Sequence, residues 1–353
     1  MENIPPPINK VIKHNQDIYI SSEIISQFDQ IIIPIDSQII QNLFKSPEYL
    51  ANSNKLYFNL FGIVSLSLVI IVLIFTVWRF ASTTAGYTIN INGILIIAIL
   101  GIISFLIAIF AHFWKFQENW LQNRFETERL RQFKFQQLLD GNFMELSKND
   151  SVNFEIKLKD RFTNFQHSNI NKLGSLGDFV DAEDFQLLVE PNDSSDVELS
   201  KQIFEAYFTL RLDYQARYFK EKQESLKTLD DWTKSIAKFS LLIAFVLALA
   251  DLFILLSHNI ELEKTLGWLI GASAVSAGLT SAGVRVFRNA KAISEETERY
   301  TSKWVLLKIL SEKFNNKKAT SQEKLQVMIE TERVSIEELR EFLRTFKKSD
   351  YLL

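Results

Sequence analysis

Long apolar runs alternate along the chain with charged, aromatic-rich stretches, and this alternation predicts its elements. Four runs reach the roughly 20 residues that a helix needs to cross a bilayer. They are "YFNLFGIVSLSLVIIVLIFTVW" (57–78), "INGILIIAILGIISFLIAIFAHFW" (91–114), "IAKFSLLIAFVLALADLFILL" (236–256) and "GWLIGASAVSAGLTSAGVRVF" (267–287). The third carries Asp251, and the fourth is built of Gly, Ala, Ser and Thr rather than Leu and Ile. A buried helix of a soluble protein can resemble the third or fourth run, but not the first two. Tyr57, Trp78, Trp114, Trp232 and Trp268 stand at or near run ends, where amphipathic rings suit a membrane interface, whereas Trp120 and Trp304 do not.

The stretches between the runs read mostly as helix. "KFQENWLQNRFETERLRQFKFQQLL" (115–139) has no Gly or Pro. Its Arg124/Glu128 spacing suits a solvated face, and Phe116, Trp120, Leu121, Phe125 and Leu138 offer an apolar one. A stop is expected at "DGN" (140–142). Residues 199–256 also lack Gly and Pro, so one helix of about 85 Å is expected to run into the third span. The fourth run is expected to continue as helix past Trp304 to about Phe314, with one or two terminal helices after it. Thr320 with Glu323, and Ser335 with Glu338, have capping-box spacing.

Two regions break this pattern. Residues 1–50 hold five of the six prolines and predict a loosely ordered arm, with a short helix in "DSQIIQNLF" (36–44) capped by Asp36 or Ser37. In "SVNFEIKLKD" (151–160), Val152, Phe154, Ile156 and Leu158 alternate, which predicts a strand. From Asp178 to Glu198 there are eight acidic residues and no basic one, which reads as a solvated linker or a segment folded back on basic flanks. The expected divisions are an N-terminal cytoplasmic arm (1–50), a transmembrane hairpin with its cytoplasmic helix (51–140), an acidic linker or small β element (141–198), and a second hairpin with long flanking helices (199–353).

Charge supplies the orientation. The connection 80–90 has no charge and 257–264 a single Lys, whereas 115–134, 217–238 and 285–303 are each rich in Lys and Arg. The positive-inside rule then places both termini and the middle of the chain in the cytoplasm. The expected fold is an all-α membrane protein with four transmembrane helices in two hairpins and long cytoplasmic extensions. Each hairpin is followed by a long helix, an architectural repeat without direct sequence identity. The N-terminus lacks the basic and apolar regions of a signal peptide.

Composition narrows the chemistry. There is no Cys, and His14, His112, His167 and His258 share no ligand spacing, so no metal site or cofactor is expected. A net charge of −3 gives no reason to expect nucleic-acid binding. No phosphate-binding loop, dinucleotide fingerprint, zinc-hydrolase motif or nucleophile elbow is present, and no enzymatic activity is expected.

Hairpin, basic flank and "WLQNRFETERLRQF", with Trp120, Arg124, Glu128 and Arg131, resemble the SLATT group, the SMODS and SLOG-associating two-transmembrane effector domains of bacteria. The second half is similar in layout but has no such triplet around Trp304. The resemblance implies an oligomeric effector of the bacterial inner membrane, used in conflict or antiviral defence. It also implies a cytoplasmic sensor or nucleotide-signalling partner.

Two features in the spans carry the functional expectation. Gly267, Gly271, Ala274, Gly278 and Ala282 form one small-residue face, which permits close helix packing in lipid. Alternatively Ser273, Ser276, Thr280 and Ser281 line a water path with Arg285 at its mouth. Asp251 is an acid within a span, costly unless it faces protein or water. The expected activity is pore formation or membrane perturbation by a homo-oligomer in contact with the lipid bilayer. The alternative is a non-conducting scaffold that recruits a soluble partner through its cytoplasmic helices, with Trp120, Arg124, Glu128, Arg131 and Trp304 among the contacts. A small transporter is the weakest reading.

Overall fold

The structure, a computed structural model, describes residues 15–87, 91–166, 179–180, 187–257, 262 and 266–348. Residues 1–14, most of the connection 257–264 and part of the acidic stretch lie outside them. The described backbone contains no strand. Its elements are α1 (Ser22–Ile25), a 3-10 turn (Asp29–Ile31), α2 (Ile32–Ile35), α3 (Gln38–Thr84), α4 (Ile91–Phe113), α5 (Phe116–Gln137), α6 (Gly141–Asn149) and α7 (Ser151–Phe165). Then come α8 (Val197–Tyr207), a π-helical turn (Phe208–Asp213), α9 (Tyr214–Leu256), α10 (Trp268–Ala290), α11 (Ile293–Phe314) and α12 (Ser321–Lys348).

Four of these helices are long and apolar enough to cross a membrane. The best windows of α3, α4 and α9 have mean hydropathies of 2.9, 3.2 and 2.7, against 1.3 for α10. Only 11%, 6% and 6% of the first three windows is buried within the chain, whereas 22% of the α10 window is. The least apolar helix is thus the most enclosed by protein.

The chain divides into two compact units. The first comprises Met1–Glu48, Arg124–Gln223 and Glu298–Leu343. Its core gathers Ile18, Ile31, Ile35 and Phe44 with Phe133, Leu139, Met144, Phe154, Tyr207 and Met328, and Trp304 packs half-buried against it. The second comprises Tyr49–Asn123, Glu224–Thr297 and Arg344–Leu353. Within it α3 meets α4 through Ser65 and Ser104, whose hydroxyls bond to each other's carbonyls, and through the Phe61 and Phe110 rings. Helix α9 meets α10 through Ala237 O, which accepts from Ser281 Oγ at 2.8 Å, and through Asp251 against Gly271. In both pairs the partners step in opposite directions along the two helices. Trp120 is buried here between Phe58 and Phe346, with Lys55 over its ring.

Several expectations are corrected. Residues 151–160 form not a strand but the start of α7, capped by Asp150 accepting from Asn153 N. Phe154, Leu158, Phe162 and Phe165 are buried at helical spacing, whereas Val152 and Ile156 are 70% and 54% exposed. Helix α10 does not run on past Trp304. It ends at Ala290, and Ala292 at φ 47° turns the chain before α11. The long helix through 199–256 keeps its path but changes to π-helix at Phe208–Asp213. The stop expected at "DGN" is found, with α5 ending at Gln137, and Asp140 then caps a new helix, α6. Ser335 lies inside α12 and caps nothing, donating to Thr331 O, whereas Thr320 and Glu323 form the expected capping box. "DSQIIQNLF" is not a separate helix but the entry into α3.

Candidate functional site

Three hydroxyls of α10 bond back onto its own backbone. Ser273, Ser276 and Thr280 donate to the carbonyls of Leu269, Ala272 and Ser276 at 2.7, 2.8 and 2.9 Å. Such i−4 bonds use up the hydroxyl proton and let Ser and Thr lie in apolar surroundings without water. Ser276 Oγ also accepts from Trp78 Nε1 at 2.9 Å, which ties α10 to α3. On the same face a Cβ at Gly283 would stand 2.1 Å from Ile70 Cδ1. Close approach to α3 therefore runs through Ser276 and Gly283. Gly283 falls outside the four-residue series that the sequence shows, and nothing in the spacing picks it out.

The Gly267–Gly271–Ala274–Gly278–Ala282 series points elsewhere. A Cβ at Gly271 would lie 3.4 Å from Asp251 Oδ2, and Gly267 is buried. Further along, Ala274 is half-buried, a Cβ at Gly278 would meet nothing within 4 Å, and Ala282 is exposed. The middle of this face is open within a single chain. Arg285 is exposed and, among the described residues, has no ion-pair partner. It stands about 20 Å along the helix from Gly271, too far to neutralise Asp251.

Asp251 borders a cavity of about 1020 Å³ in the second unit, lined by the ends of α3 and α9 and the start of α10. Its walls include Thr76, Phe80, Leu255, Trp268 and Gly271, and no described lining residue is basic. The Trp268 ring stands edge-on to Trp78 at 6.2 Å and tilted against Tyr87 at 5.6 Å.

In the first unit, the charged face expected to be solvated is buried. Arg131 Nε pairs with Asp17 at 2.6 Å, and its guanidinium also reaches Glu128 and Asn15 Oδ1. Asn15, at φ 64°, donates in turn to Glu48 at 2.9 Å. Arg124 reaches Glu128 at 2.5 Å and Glu48 at 3.6 Å, and Lys134 Nζ donates to Asp17 O. Asp17, Glu48 and Glu128 thus face Arg124, Arg131 and Lys134, three acids to three bases. Burial pushes the Glu128 carboxyl up, but Arg124 and Arg131 together hold it down at about 2. Burial lowers Lys134 to about 8 despite Asp17 and Asp36 nearby. The partners of α5 come from residues 15–48, more than 70 positions away, so no local pattern announces them. Residues 15–48 are built into this unit's core, and the first fourteen positions of the expected arm lie outside the described residues.

Arg124, Glu128 and Arg131 are brought together by this network, while Trp120 belongs to the second unit and Trp304 to the apolar core of the first. No group of three or more metal-ligating side chains occurs among the described residues. Comparison with known proteins gives no match, whether to family models, curated proteins or solved structures.

Proposed function

We propose that this chain is an effector of the bacterial inner membrane, with four spans in two hairpins, both termini cytoplasmic, and a membrane-perturbing activity in antiviral defence. Copies associate through the Gly271–Ala274–Gly278–Ala282 face, and a cytoplasmic partner or nucleotide signal triggers them. The observation that carries this reading is the open middle of that face. In lipid, small residues favour contact between helices, and at Gly278 the chain itself supplies none. The internally bonded hydroxyls favour helix packing over a continuous water path. Any conduction then arises from assembly of copies, with Asp251 and Arg285 at opposite ends. The resemblance around Trp120–Arg131 supports the setting in conflict systems.

The alternative is a non-conducting scaffold. It is favoured by Val152 and Ile156, which α7 leaves exposed and unburied by its own unit. Induced expression in a bacterial host separates the two. Collapse of the membrane potential, abolished by Gly278→Leu and changed by Asp251→Asn, supports the effector. An intact potential under every trigger tested, with a soluble protein lost from the membrane fraction on Val152→Asp/Ile156→Asp substitution, supports the scaffold.

A further inference from the structure

Asp251 presents an uncompensated charge problem. Among the described residues nothing hydrogen-bonds or ion-pairs with it, and no described wall of its cavity carries a cation. An acid within a span is normally matched by a base, by water or by a ligand. The neighbouring hydroxyls do not help, because Thr76 and Thr84 donate to the Val72 and Phe80 carbonyls of their own helix at 2.7 and 2.9 Å. One cavity therefore holds an acceptor that needs a cation. The remaining lining is apolar or aromatic, and rings such as Phe80 and Trp268 attract ammonium groups on their faces.

We infer that this cavity binds an amphiphile carrying an ammonium group, of the kind that heads an aminophospholipid, with Asp251 as its counter-ion. The volume, about 1020 Å³, suits a headgroup with the start of its chains. A neutral ligand leaves the carboxylate unmatched, and an anionic one is repelled by it. The inference rests on reading the four apolar helices as spans, and not on any membrane-opening activity.

The test is native mass spectrometry of the full chain in a nonionic maltoside detergent, titrated with phosphatidylethanolamine, phosphatidylglycerol, dodecylamine and dodecanol. The two amines are expected to bind at least tenfold more tightly than their uncharged or anionic counterparts. Asp251→Asn should erase that preference, Asp251→Glu should keep it, and Ala248→Phe, which fills the cavity without touching the charge, should weaken both. Retention of phosphatidylethanolamine alone identifies a bilayer lipid as the ligand, and of dodecylamine alone a free amphiphilic amine. Equal binding by wild type and Asp251→Asn, or no preference for amines, overturns the site. Alkaline carbonate extraction of native membranes separates the two levels. A chain released by carbonate overturns the span reading and this site together, whereas a retained chain without amine preference overturns the site alone.

Discussion

Arg211 is among the largest fully buried side chains, and it sits in the π-helical turn that follows α8. Its Nε reaches Glu332 Oε1 at 2.9 Å, its second nitrogen reaches Oε2 at 3.2 Å, and Tyr207 donates to the same carboxylate at 2.9 Å. Breaking a buried pair from one side leaves a naked charge, which costs about 3–5 kcal/mol, more than the pair itself contributes. Glu332→Gln is therefore expected to lower the unfolding free energy of the first unit by about that amount. Arg211→Met combined with Glu332→Leu should recover most of it in a double-mutant cycle followed by urea denaturation. Glu128 adds a pH signature. Its carboxyl lies at about 2 in the folded chain against an ordinary 4.5, so the unfolded chain binds the extra proton in that window. The stabilisation is complete above pH 4.5 and is lost as pH falls towards 2, a change of about 3 kcal/mol. Glu128→Gln should start less stable and lose this part of the slope in an acid-unfolding series.

At the scale of elements, glycine contacts separate positions that look equivalent in sequence. Gly278 has open space around it and Gly283 does not. Gly278→Leu is thus expected to leave the thermal stability of the monomer within about 0.5 kcal/mol. Gly283→Leu must displace Ile70 and should cost about 1–3 kcal/mol, measured as thermal unfolding in detergent. Gly141 is less forgiving, since a Cβ there would stand 2.3 Å from the Ser194 backbone N, which cannot swing aside as the Ile70 side chain can. Gly141→Ala should pull apart the bridge between Asp140 and Asn192 and accelerate proteolysis at 187–196. The four long apolar helices are legible because length and hydropathy alone define them, and the Thr320–Glu323 cap because it is local. Helix α7 is ambiguous in sequence because Phe154 and Leu158 satisfy both a two-residue and a four-residue period. Only Phe162 and Phe165, further on, select the helix. The burial of the α5 charges is hidden in sequence because periodicity assigns charge to solvent and their partners lie in a distant segment. The open cavity beside Asp251 was not visible in sequence at all, as its walls come from three helices.

Across the whole molecule the repeat is closer than the sequence suggests. A 47-residue helix precedes α4 and a 43-residue helix leads towards α10, and α4 and α10 are both 23 residues long. Each is followed by a left-handed residue, Lys115 at φ 49° or Ala292 at φ 47°, and then by a 22-residue helix. The halves differ in what covers the helix after the turn, because α5 receives the arm of residues 15–48. Ile18, Ile31 and Ile35 from that arm are fully buried in the first unit. At about 1.5–3 kcal/mol each, they amount to much of the 5–15 kcal/mol by which a folded domain normally exceeds its unfolded chain. Removing the arm also strands the buried Arg131 and Lys134 without Asp17. A chain lacking residues 1–37 is therefore expected to lose the protease resistance of the first unit, with cleavage appearing in α5, α7 and α12. The apolar stretches of the four long helices lie outside these contacts, so the truncated chain should still resist carbonate extraction from membranes. An unchanged digestion pattern would mean that the arm only decorates the unit, and the buried charge network would then not be what holds it.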